Sequence, residues 1–82
     1  MTENAREAAA VVFLTTMKGM LIAKALNDES SYRNARRVLR GQLEIMQACF
    51  KYAEPYYQDK TLAGVCIDGQ IFLVEDEENE NF

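Results

Sequence analysis

Gly64-Val65-Cys66-Ile67-Asp68-Gly69-Gln70-Ile71-Phe72-Leu73-Val74 decides the fold. Two short apolar runs flank an Asp-Gly pair. That pair suits a two-residue type I′ turn, whose central positions both take positive φ. The resulting register sets Ile67 opposite Gln70, Cys66 opposite Ile71 and Val65 opposite Phe72. One face then carries Val65, Ile67, Phe72 and Val74, and the other carries Cys66, Ile71 and Leu73. Both faces are apolar, and a lone two-stranded ribbon is marginal in water. The hairpin therefore needs a cover on each side.

Upstream the apolar period changes from two residues to that of a helix. A first helix is expected from about Ala5 to Leu26, with Asn4 as N-cap, Glu7 in the capping-box position and Asn27 as a stop. Its apolar residues wrap more than one side, which places it centrally in an assembly. The polar loop Asn27–Ser30 leads to a second helix from about Tyr32 to Ala53, capped by Ser30 or Ser31. Leu39, Leu43, Met46, Phe50 and Ala53 draw one stripe along it. So short a connection makes the two helices antiparallel. Gly19 and Gly41 fall at similar heights and read as a close helix crossing. Pro55 ends the second helix, and the residues after it form at most one further turn.

The expected fold is therefore α+β: an antiparallel two-helix hairpin followed by a C-terminal β-hairpin. Residues 1–74 form the single domain, and residues 75–82 form an acidic, mobile tail. The core draws on Val12, Leu14, Met17 and Leu21 of the first helix and on Leu39, Leu43, Met46 and Phe50 of the second. Val65, Ile67, Phe72 and Leu73 of the hairpin complete it. Two helices cover only one ribbon face. A homodimer is expected to cover the other through Ile67, Ile71, Phe72 and Leu73.

Size agrees with this frugal plan. A chain of 82 residues and 9.3 kDa buries only about 63% of its unfolded surface, enough for one thin core. The net charge of −4 is unevenly spread. Glu75, Asp76, Glu77, Glu78 and Glu80 crowd the tail without a base, and without them nine bases face eight acids.

Most chemistry is excluded by what the chain lacks. Histidine is absent, so neither a serine nor a cysteine has the usual base beside it. No Gly-x-Ser-x-Gly elbow and no glycine-rich phosphate loop occurs. Cys49 and Cys66 stand 17 positions apart, unlike a zinc or redox pair, and read as small buried thiols. No cofactor, metal or catalytic residue is expected. The longest unbroken apolar run, Ala8–Leu14, has seven residues against the ~20 that span a bilayer. Glu3 and Glu7 do not suit a secretory signal, so the expected location is the cytoplasm.

One constellation stands out. Arg33, Arg36, Arg37 and Arg40 are spaced i, i+3, i+4, i+7 and share one helical face. Like charges four apart disfavour a helix by a few tenths of a kcal/mol, which a nearby anion relieves. Nucleic-acid phosphate, an acidic partner surface and the chain's own tail all qualify; the plainer alternative is a solvated face with Glu29 and Glu44 as local partners. The tail has a mirrored reading, as a shield for the arginines, a phosphate mimic or a solubilising extension. The leading expectation is a non-enzymatic interaction protein: an adaptor, inhibitor or regulator that binds a protein partner stoichiometrically. The arginines and the tail acids are its contact residues. The alternative is a dimeric nucleic-acid binder that lays the arginine face along phosphates.

Overall fold

The computed structural model describes residues 3–74. Helix α1 (Glu3–Ala25) and helix α2 (Glu29–Cys49) form an antiparallel hairpin. Strands β1 (Ala53–Gln58), β2 (Thr61–Ile67) and β3 (Gln70–Leu73) follow as one antiparallel sheet in that order. The class is α+β. The tail reading, residues 75–82, lies outside the described residues.

The helical connection is tighter than expected. Asn27 adopts φ 57, a left-handed conformation that asparagine tolerates. This lets the Asp28 N–H reach the Ala23 carbonyl (2.9 Å) and the Asn27 N–H reach the Lys24 carbonyl (3.1 Å). Those two bonds make a Schellman end. Asp28 then caps α2: the Ser31 N–H donates to its Oδ1 (3.1 Å), and the Ser31 hydroxyl donates to its Oδ2 (2.7 Å). The hydroxyl first, then the N–H, hold the Asp28 carboxyl below its ordinary pKa. The cap is therefore Asp28 and not Ser30 or Ser31, because an aspartate one residue past a Schellman turn already faces the open N–H groups. Asn4 lies within α1 and is not its cap.

The second helix stops early. Phe50 leaves helical geometry at φ −115, ψ 158, and its N–H donates to the Met46 carbonyl (2.8 Å). The segment expected as a last helical turn is β1. Pro55 sits on this edge strand opposite Val65, where its missing N–H need not deprive a central ladder. Asp59 and Lys60, at φ 50 and 68, turn the chain back into β2. The Gln47 amide donates to the Ala53 carbonyl (3.1 Å), fastening α2 to β1. At the other end, the Tyr52 N–H donates to Asp68 Oδ1 (2.9 Å) while the Asp68 N–H donates to the Tyr52 carbonyl (2.8 Å). Asp68, at φ 49, thus serves its own turn and pins the start of β1.

The β2–β3 register is the expected one, with Ile67, Cys66 and Val65 opposite Gln70, Ile71 and Phe72. Between Tyr56 and Tyr57 the β1–β2 register slips, leaving Ala63 without a partner. A bulge of this kind reverses the alternation beyond it. Leu62 accordingly packs against the core from the same side as Val65.

Helices cover the sheet on one side, α1 over β2 and α2 over β1. The core consists of Ala10, Phe13, Leu14, Met17, Met20, Leu39, Met46, Phe50, Ala53, Val65 and Ile67. Three expected members lie outside it: Val12 is 53% exposed, Leu21 is 37% exposed and Leu73 is only half-buried. Phe13, Ala10, Met20 and Ala23 hold the buried face instead. Within one chain α1 meets neighbours on one side only, so just one of its apolar faces is covered. The other, with Val11, Val12 and Ile22, is open. Asn4–Ala25 is also long and apolar enough to cross a membrane, with a third of its most apolar window buried in the fold. The seven-residue run did not show this, because mean hydropathy along a whole helix tolerates one charged residue such as Lys18.

Gly19 and Gly41 do not form a close crossing. A Cβ added at either would meet nothing within 4 Å. The helices touch elsewhere, where the Gln42 amide donates to Thr16 Oγ1 (2.9 Å). Gly19→Ala and Gly41→Ala should each therefore raise stability by about 0.5–1 kcal/mol, through helix propensity alone. Urea midpoints of the two variants check this, and a loss at either would restore a packing role. Both cysteines are free, and Cys49 is exposed, not buried as expected. It stands at the last position of α2, away from the stripe.

Candidate partner-binding groove

Four positively charged positions on one face of α2 are the starting point. Arg33, Arg36, Arg37 and Arg40 are all exposed. Among the described residues no carboxylate pairs with any of them, so Glu29 and Glu44 do not neutralise this face. The four do not act as one surface. Arg33 and Arg37 border a polar hollow with Ser30, Ser31 and Asn34. Arg36 and Arg40 line a separate groove between α2 and the sheet.

This groove has a volume of about 420 Å³. Leu39 and Leu43 of α2, Phe13 and Met20 of α1, and Pro55 and Leu62 of the sheet line its apolar part. Tyr32 and Tyr57 stand at its borders. The Arg36 guanidinium lies 5.8 Å from the Tyr32 ring centroid, within cation–π range, which limits where its charge can point. The bulge in β2 completes the groove, because it turns Leu62 inward beside Tyr57.

Chemically the arrangement suits binding. It offers two fixed cations, two phenols and an apolar floor. Among the described residues that line it there is no carboxylate or thiol. No cluster of metal-ligating side chains exists among the described residues.

The proposed dimer residues separate. Ile67 is fully buried by the chain's own helices, and Phe72 is partly buried against the same core. Ile67 has no surface left for a second copy. Ile71 is 47% exposed on the uncovered side of the sheet. Leu73 is half-buried beside Leu21, Leu62 and Val74 in a second hollow of about 360 Å³. The tail acids Glu75, Asp76, Glu77, Glu78 and Glu80 lie outside the described residues.

No protein-family model matches the chain, and neither a curated protein nor a solved structure matches it. Its chemistry must be judged from the groove itself. Sequence reasoning reached Arg36 and Arg40 but missed the groove's far wall of Pro55, Tyr57 and Leu62. The available signal was two adjacent tyrosines followed by Asp59-Lys60, a strand and turn without the usual glycine.

Proposed function

We propose that this chain is a small non-enzymatic interaction protein that binds a protein partner stoichiometrically through the groove under Arg36 and Arg40. One observation carries the reading: two arginines that no described carboxylate neutralises border an apolar, concave floor. A segment that presents a carboxylate beside an apolar side chain satisfies both parts at once. Charge then steers and selects the partner, and burial on Phe13, Leu39 and Leu62 holds it. Nucleic-acid phosphate would satisfy the arginines and leave the apolar floor unused. The open sheet face around Ile71 supports association with a second copy as an additional property.

Affinity capture with the purified chain, with and without nuclease, tests this. Binding constants for each captured protein follow. Arg36→Glu with Arg40→Glu should weaken the specific complex about 30-fold, roughly 2 kcal/mol. Arg33→Glu with Arg37→Glu should have a much smaller effect. Both pairs are exposed and no described carboxylate pairs with them, so melting temperatures should barely change. Capture that vanishes with nuclease, or affinities indifferent to Arg36 and Arg40, would reject the reading.

A further inference from the structure

We infer that the groove accepts an extended acidic segment carrying an apolar anchor, and that residues 75–82 of the same chain are one such ligand. This rests on the groove reading above and deepens it by naming the chemistry of the occupant. The first support is charge. EDEENENF holds five acids and no base, opposite arginines that no described carboxylate neutralises. A second support is position. The described chain ends at Val74, which lines the hollow that contains Leu62. Leu62 also lines the groove. Eight extended residues reach about 26 Å, at roughly 3.3 Å each. The third support is composition. Phe82 follows the acids and suits an apolar floor of Phe13, Leu39 and Leu43.

Tethering makes even weak recognition effective. A short link gives an effective concentration of about 1 mM. With an intrinsic dissociation constant on the order of 0.1 mM, the segment would fill the groove about nine-tenths of the time. An outside acidic ligand would then bind about tenfold more weakly than to an open groove. The partner implied by the proposed function must outcompete this internal ligand, so it too is acidic.

The test uses the full chain. One form is native, and in the other Glu75, Glu77, Glu78 and Glu80 become Gln and Asp76 becomes Asn. The probe is a fluorescein-labelled peptide with the sequence of residues 75–82, titrated at low salt. It should bind the neutralised form about tenfold more tightly than the native form, and Arg36→Glu with Arg40→Glu should abolish binding to both. Amide spectra of the two forms should differ at Arg36, Arg40, Tyr57 and Leu62, and the differences should shrink as salt rises. Equal affinity for both forms, or spectral changes confined to the neighbours of residue 75, would overturn the proposal. Differences that grow with protein concentration would also overturn it, assigning the segment to a second copy. The groove reading has a separate fate. A protein partner that still needs Arg36 and Arg40 preserves it when the peptide result fails, and a partner indifferent to them removes both.

Discussion

Gly64→Ala should cost about 3 kcal/mol or more and release β3 from the sheet. A Cβ at position 64 would collide with the Phe72 carbonyl oxygen and stand 3.1 Å from Leu73 Cα. Both obstacles are backbone, which cannot rotate aside as a side chain can. The ladder would have to open where Gly64 pairs with Leu73. Overpacking in a tight site typically costs 1–3 kcal/mol, and an immovable neighbour puts this case at the upper end. A domain of this size has only about 4–12 kcal/mol in total. Hydrogen exchange should accelerate first at the β2–β3 amides, and the urea midpoint should fall by a large fraction. Native-like protection of β3 in the variant would mean that the strands are not so closely apposed.

Phe13→Ala should be comparably severe, at about 3–5 kcal/mol. Phe13 is 1% exposed, packs in the core and forms part of the groove floor. Removing its ring leaves a cavity bounded by α1, α2 and the sheet, three elements held in place by several other contacts. Val12→Ala is the control. Its side chain is 53% exposed, and the change should lie within about 0.5 kcal/mol because no packed contact is lost. Paired urea titrations separate the two cases. Similar losses at both positions would mean that α1 buries a different face. Phe13→Leu, which keeps most of the volume, should recover much of the stability and leave the groove measurable.

How far the sequence was legible can be judged from these residues. The Asp68-Gly69 turn and the pairing of Val65 with Phe72 were readable because turn chemistry and a two-residue period are local. So was the antiparallel arrangement of the helices, since Asn27 and Asp28 leave no room for another path. Strand β1 was hidden for a physical reason. Pro55 reads as a helix terminator, and the next residues show no alternation, because an edge strand with a bulge beside it keeps no clean period. The choice between Phe13 and Val12 was equally hidden. Both lie on apolar faces of α1, and hydropathy cannot say which face a neighbour will occupy.

For the candidate site, spacing alone placed four arginines on one face of α2. It could not divide them. That division arises because α2 packs over β1, so Arg36 and Arg40 share a groove with Pro55 and Tyr57 while Arg33 and Arg37 border a polar hollow on α2 itself. Chain chemistry by itself determined two helices, a turn at residues 68–69, a positive face and an acidic end. Tertiary packing alone decided that a third strand joins the sheet, which apolar side of α1 is covered, and where an apolar floor lies beneath charge. Such outcomes depend on contacts between residues far apart in sequence, and local propensity carries no record of them.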